Sequence, residues 1–333
     1  MTVGWSLAVH GGAGAIPRGR LSPAQVCAYE TALQAALAEG EAVLRSGGPA
    51  LDAVQAAVCE LEDSPLFNAG RGAAFTSAGD NELDASIMGG PGRAAGAVAG
   101  VSRARNPVSL ARAVMERSPH VLLMGEGADA FAEDCGAILA EPGHFFTTKR
   151  WASLEEWLAA NGRPSAAARP RTGAAHPLEF LVHDEGKRGT VGAVARDVAG
   201  RLAAAGSTGG LTGKLWGRVG DTALIGAGVY ADPAGCAVAC TGTGEHFIRV
   251  GAAKRISDLV ELGGLAVAEA CARVISNEIA SIGGEGGVIA VGPRGDAVWR
   301  FNTSGMFRAR VSERRPREVR LFGDEETPAP SGG

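Results

Sequence analysis

An α+β fold is predicted from three observations. Apolar runs of strand character cluster with one another and helical periodicities do the same, in place of the strict alternation of a Rossmann-type chain. The 333 residues, 46% hydrophobic and 20% charged, suffice to bury a substantial core in one large domain or two closely packed ones. The 50 glycines, about twice the usual share, gather beside apolar runs, as in HGGAGAIP, STGGLTG and ACTGTGE, where backbone must approach something closely.

Residues 3–10, VGWSLAVH, read as a buried strand running into a glycine turn at residues 11–14. The GxGxxG spacing of a dinucleotide site is absent, and Pro17 stands where a helix would begin. Ser22 and Pro23 supply an N-cap and a first-turn proline for a long helix to about Arg45, stopped by Gly47 and Gly48. A second helix, about residues 50–62, carries the apolar stripe Leu51, Val54, Ala57, Val58 and Leu61. Residues 61–90 form a tight loop, with Asn68 as a turn residue, leading into paired strands at 73–77 and 82–88. Residues 96–101 extend the sheet, and Asn106 and Pro107 open a helix ending near Arg117. Ser153 with Glu156 is expected to form a capping box for the short helix LEEWLAA. Residues 161–187, rich in Pro, Ala, Gly and Arg, read as an exposed linker. Beyond it, strands are expected at 191–197, 201–205, 222–229 and 236–240, and helices at 245–262 and 265–276. Closing strands follow at 287–291 and 297–302, with a disordered tail after Phe322.

A net charge of −4 with scattered Lys and Arg argues against nucleic acid or a membrane surface as partner. No apolar run approaches the ~18 residues of a membrane span. The six cysteines show no disulfide-framework spacing and no secretory pattern precedes them, so a reducing, cytoplasmic setting is expected. Cys236, Cys240 and His246 do not complete a four-ligand metal set. GGLTGKL, residues 209–215, fails as a phosphate loop because Thr208 occupies the first Gly position and Leu215 stands where Ser or Thr would hold magnesium. AGSTG around Ser207 lacks the first Gly of a nucleophile elbow.

The stretch KRGTVGAVARD, residues 187–197, survives these exclusions. A threonine hydroxyl is a poor nucleophile in mid-chain, but at a new N-terminus the α-amine is within reach of its own Oγ and acts as the base. That amine has a reference pKa of ~7.7 to 8.0, so much of it is neutral near physiological pH. Gly189 before Thr190 tolerates the strained backbone that attack on the preceding carbonyl requires. Taken alone, GTVG reads as an ordinary loop-to-strand junction. Thr208, Thr241 and Gly242 sit at glycine-rich turns, where Thr241 and Gly242 can serve as oxyanion donors. Arg218 and Asp221 in GRVGD form either a surface ion pair or a recognition pair for a carboxylate and an ammonium.

Taken in order, HGGAGAIP, LDAVQAAVCELEDSPLFNAGRG, ELDASIM, GTVGAVARD, STGGLTGKLWGRVGDTALIGAGVYA and CTGTGE resemble the isoaspartyl peptidase and plant-type L-asparaginase family of N-terminal nucleophile hydrolases, over nearly the whole chain. The resemblance implies a four-layer αββα sandwich, self-cleaved between Gly189 and Thr190 into an α subunit (1–189) and a β subunit (190–333) that together form one structural domain, and a homodimer of cleaved αβ units. It implies Thr190 as nucleophile, supported by Thr208, with Thr241 and Gly242 as the oxyanion hole. Arg218 would hold the substrate α-carboxylate, Asp221 its α-amino group, and Gly244 would also line the substrate site. A structural sodium is implied on the main-chain carbonyls of Leu61, Glu62, Ser64, Phe67, Ala69 and Arg71, placing Asn68 near the nucleophile. The expected substrates are β-aspartyl dipeptides and L-asparagine, with no cofactor for the chemistry. The HDTIG pattern of related glycosylasparaginases is absent, since five residues separate Asp184 from Thr190, which makes a glycosylated asparagine the weaker choice. An uncleaved, inactive relative acting as a binding protein is the alternative from another class.

Overall fold

Two sheets flanked by helices make up the chain in a computed structural model that describes residues 4–89, 91–166, 176, 178 and 189–325. Most of the expected linker and the last part of the tail lie outside the described residues. The first half contains β1 (Ser6–Gly14), α1 (Pro23–Arg45), α2 (Ala50–Asp63), β2 (Leu83–Gly89), β3 (Ala94–Val101), α3 (Pro107–Arg117), β4 (Leu122–Met124), α4 (Gly125–Asp134) and α5 (Thr148–Ala160). The second contains β5 (Val191–Arg196), β6 (Leu202–Thr208), β7 (Val229–Ala231), β8 (Ala237–Gly242), α6 (Gly244–Val250), α7 (Ala252–Glu261) and α8 (Val267–Ala272). It closes with β9 (Gly286–Val291), β10 (Val298–Phe301), β11 (Gly305–Ser312) and β12 (Arg315–Phe322).

The larger sheet runs β12-β11-β1-β5-β6-β2-β3-β4 and the smaller β10-β9-β8-β7. Helices α1, α2 and α3 pack on the larger sheet, α6 to α8 contact the smaller, and β1, β5 and β6 meet β8 and β9 across the gap. Side-chain alternation explains this. Leu7 and Val9 of β1, and Val191, Ala193 and Ala195 of β5, join the core under α1 to α3, whereas Ala8, Val194 and Ala204 point toward the smaller sheet. The same parity turns Thr190 and Thr208 toward the smaller sheet.

Local chemistry positions these elements. The Ser22 hydroxyl accepts from Gln25 N–H at 3.2 Å and Gln25 Oε1 accepts from Ser22 N–H at 2.9 Å, a capping box of about 1 kcal/mol at the start of α1. A Cβ on Gly40 would lie 2.9 Å from the Ala53 carbonyl, so glycine lets α1 approach α2. Asp197, just past β5, accepts from Ala50 N–H at 3.0 Å and caps α2, joining the two halves of the chain.

Several expected elements differ. Residues 73–77 form a turn with a single bridge from Thr76 to Lys214, because the backbone is held by the 209–214 loop. Ser153 lies inside α5, its hydroxyl donating to the Lys149 carbonyl at 3.1 Å, and the N-cap is Thr147. Residues 222–228 are turns, and the strand begins at Val229. The helix expected over 245–262 breaks at Gly251, whose φ of 64° no helix accommodates. The next helix starts at Val267 and widens into a π-helical segment, Arg273–Ile279. In the tail after Phe322, Gly323–Glu325 forms a short 3-10 turn. Strands β4, β11 and β12 and helix α4 carry no sequence signal strong enough to be anticipated.

Candidate active site

The antiparallel pairing of β5 with β6 sets Val191 against Ser207, which leaves Thr190 and Thr208 side by side at the end of the ladder. The Thr208 hydroxyl donates to the Gly189 carbonyl at 3.3 Å and accepts from Gly210 N–H at 3.0 Å. Thr190 N–H donates to Thr241 Oγ1 at 3.3 Å, and the Thr190 and Thr222 hydroxyls lie 3.4 Å apart. Four threonine hydroxyls thus surround the intact Gly189–Thr190 bond. Thr208 touches the carbonyl of that bond, and the group touching the Thr190 hydroxyl is Thr222, which sequence reading did not single out. The β1 strand shifts register between His10 and Gly12, and a Cβ on Gly12, whose φ is 115°, would lie 3.0 Å from Gly189 Cα. Only glycine permits so close an approach to that bond.

Thr190, Thr208, Arg218, Asp221, Thr222 and Gly242 line one narrow pocket. Thr241, fully buried, is the next-to-last residue of β8, beside Gly242. Gly242 has a φ of 151°, and a Cβ there would lie 2.6 Å from Gly286 Cα of the neighbouring strand, so this close pairing too requires glycine. The Arg218 guanidinium is held by both oxygens of Glu245, at 2.9 Å from Nε and 3.1 Å from Nη2. Asp221 is buried, and burial pushes its carboxyl up to about 7, against the pull of its own N–H and of Arg218. These contacts replace a surface Arg218–Asp221 ion pair. A Cβ on Gly244 would lie 2.9 Å from both Arg218 Nη2 and Asp221 Oδ1, so the start of α6 rests directly on the two charged groups.

Asn68 fixes the opposite wall. Its Nδ2 donates to the Gly210 carbonyl at 2.7 Å and its Oδ1 accepts from Ala74 N–H at 2.8 Å. The Asn68 carbonyl accepts from Gly209 N–H at 2.9 Å. The loop that delivers Asn68 leaves α2 through Leu61, Glu62 and Ser64 and returns through Phe67, Ala69 and Arg71. Its backbone packs tightly against its own glycines. A Cβ on Gly70 would collide with the Glu62 carbonyl, and one on Gly72 would collide with the Phe67 carbonyl and lie 2.6 Å from that of Pro65. Ala69 O accepts from Gly72 N–H at 3.1 Å. The Glu62 carboxyl accepts from Val108 N–H at 3.0 Å, and burial pushes it up to about 8. Among the described residues, no group of three or more His, Cys, Asp or Glu could hold a metal ion.

His10, also missed in the sequence, is fully buried beside this site, and a Cβ on Gly192 would collide with its Nε2. Burial lowers its pKa to about 3, so it stays neutral. Among the described residues no helix is long and apolar enough to cross a membrane.

A family model described as asparaginase matches residues 3–321. The chain is 51% identical over 303 residues to the isoaspartyl peptidase of Escherichia coli (strain K12), covering 91% of each chain. It is 51% identical to the isoaspartyl peptidase of Salmonella typhimurium, covering 91% of this chain and 94% of that one. The plant-type L-asparaginase of Pyrococcus abyssi is 39% identical over 312 residues, with 92% and 96% covered. With its site geometry and these likenesses running along nearly its whole length, the chain belongs to the asparaginase family that includes isoaspartyl peptidases and plant-type L-asparaginases.

Proposed function

We propose that this chain is a self-cleaving threonine hydrolase of β-aspartyl dipeptides and L-asparagine. The observation that carries the reading is the convergence of the Thr208, Thr222 and Thr241 hydroxyls on Gly189–Thr190, beside a buried Asp221 and a half-enclosed Arg218. In the first reaction the Thr190 hydroxyl attacks the Gly189 carbonyl, whose oxygen takes a hydrogen bond from Thr208. The peptide nitrogen leaves as the new α-amine, and water hydrolyses the resulting ester to release the Gly189 carboxylate. The amine then takes the proton of the Thr190 hydroxyl as Oγ attacks the β-carbonyl of substrate. Thr241 Oγ–H and Gly242 N–H are the proposed donors to the oxyanion, each such donor contributing ~3 kcal/mol. The proton passes to the departing amine, and water cleaves the β-aspartyl ester of Thr190.

Arg218 and Asp221 are the proposed anchors for the substrate α-carboxylate and α-ammonium. The fork of Arg218 suits a carboxylate, as its bidentate contact with Glu245 illustrates. Gly244 leaves room for backbone against both. The carbonyls of Leu61, Glu62, Ser64, Phe67, Ala69 and Arg71 are the proposed sodium ligands, the ion serving to hold the loop that carries Asn68. The helix and sheet contacts support a four-layer αββα order, and the shared large sheet supports an α subunit of residues 1–189 that stays with a β subunit of residues 190–333 as one domain. A homodimer of such units, without nucleic acid and in the cytoplasm, completes the reading.

Turnover of β-Asp-Leu, L-asparagine and glycosylasparagine, measured side by side on fully cleaved protein, tests it. The first two should be hydrolysed and the third hardly at all. Arg218→Ala should still cleave itself yet lose at least ~30-fold in kcat/KM for β-Asp-Leu, the lower end of what removing one partner of a desolvated charge pair costs. Near-normal turnover in that variant would refute the substrate assignment.

A further inference from the structure

Beneath the pocket lies a buried cation that the chemistry above does not use. The side chain of Lys214 is 1% exposed, and its Nζ donates to the Glu82 carbonyl at 2.7 Å and lies 3.6 Å from the Glu82 carboxylate. Lys214 belongs to the same loop as Arg218, pinned by Gly213 N–H to the Phe75 carbonyl at 2.8 Å and by Ser77 N–H to the Lys214 carbonyl at 3.0 Å. A Cβ on Gly210 would lie 3.3 Å from Lys214 Nζ and 3.6 Å from Arg218 Nη1, so the two cations lie against the same glycine. Gly210 is itself held by Asn68 and Thr208.

Both cations act electrostatically on Asp84. It is fully buried on β2, directly opposite Thr208 in the sheet. Its Oδ1 accepts from Gly100 N–H at 2.8 Å, and its Oδ2 has no hydrogen-bond partner. Burial raises the carboxyl, and Lys214, the Gly100 and Gly220 N–H groups and Arg218 act against that rise. A buried carboxylate with one free oxygen draws whichever cation can reach it. Lys214, whose hydrogen bond goes to the Glu82 carbonyl, acts on that carboxylate through its charge alone, while the Arg218 fork is held by Glu245.

We propose that Lys214 is a positioning residue for substrate recognition: by neutralising Asp84 under the pocket, its ammonium keeps Arg218 available to the α-carboxylate of a β-aspartyl substrate. The inference rests on the reading of Arg218 as the carboxylate anchor. Without Lys214 the Asp84 charge acts on Arg218 unopposed and draws its guanidinium away from Glu245 and the pocket. The defect is one of binding, and it exists only while Asp84 carries its charge.

Steady-state kinetics with β-Asp-Leu on the full chain, each variant first shown by denaturing gel to be cleaved, provide the test. Lys214→Met should raise KM about 10-fold with kcat within about 2-fold, a coupling of ordinary size for neighbouring charges. Lys214→Arg should lie between wild type and Lys214→Met. The double variant K214M/D84N should recover most of the lost KM, because the charge that captures Arg218 is gone. An unchanged KM in Lys214→Met, or a loss that D84N does not recover, overturns the proposal, since damage to packing alone is not repaired by a second substitution. Should Lys214→Met yield no folded, cleaved protein, the double variant should restore folding as well, and its failure to do so overturns the proposal equally. Arg218→Ala in the same assay separates the two readings. If it keeps a normal KM, the anchor assignment fails; if it loses binding while K214M/D84N does not recover, only the role of Lys214 fails.

Discussion

At Asp221, burial and recognition pull in opposite directions. The free carboxyl is pushed up to about 7, whereas an ammonium partner requires the charged form. KM for β-aspartyl substrates should therefore fall as pH rises through about 7, with kcat less affected. Stability responds with the opposite sense. Relative to the ordinary value of 3.8, the folded protein binds this proton more tightly than the unfolded chain, so between about pH 4 and about pH 7 stability falls as pH rises. Asp221→Asn removes that dependence, and the Tm of the variant relative to wild type should be higher at pH 8 than at pH 4. A difference independent of pH would show that Asp221 is already ionised in the empty pocket. At this scale the sequence was legible wherever a motif carried the residue: Thr190, Thr208, Arg218, Asp221, Thr241 and Gly242 all come together. Thr222, Glu245, Lys214 and His10 were not legible, because their importance comes from contacts across the fold. Lys214 sits in GGLTGKL, whose only sequence signal is a failed phosphate loop.

Elements whose determinants are local were readable in the chain. The N-terminus of α1 follows from Ser22, Pro23 and Gln25 alone. Ser153 shows the opposite case, since tertiary packing of Arg150, Leu154 and Leu158 extends α5 backward to Thr147 and turns an apparent cap into an interior residue. The β11–β12 hairpin was hidden by its arginines. Arg308 is fully buried with its guanidinium 4.7 Å from the Phe301 ring centroid, and Arg310 pairs with Glu318, so strand alternation is carried by residues that read as polar. The loop after α2 makes a further prediction. If the proposed sodium holds this loop, replacing Na⁺ with a bulky organic cation at constant ionic strength should lower Tm or activity, because Asn68 and hence Gly210 lose their support. Unchanged values for both would remove the ion from the account.

Across the whole molecule, the two segments on either side of Thr190 are interleaved in a single sheet. β1 lies between β11 and β5, and β2 pairs with β6. Cleavage at one bond leaves those ladders and the core under α1 to α3 intact. The two fragments should therefore co-elute as one particle on native size exclusion and separate only under denaturing conditions. Fragments that part without denaturant would contradict this topology. The central claim is that Thr190 makes its own N-terminus and then uses it. Intact-mass measurement of denatured wild-type protein and of Thr190→Ala, each purified alone, tests it most directly. A chain beginning at Thr190 is predicted in the active wild type, and a single uncut, inactive chain of 33.7 kDa in the variant. An active wild type that stays uncut, or a variant that is cut at the same bond, would contradict it.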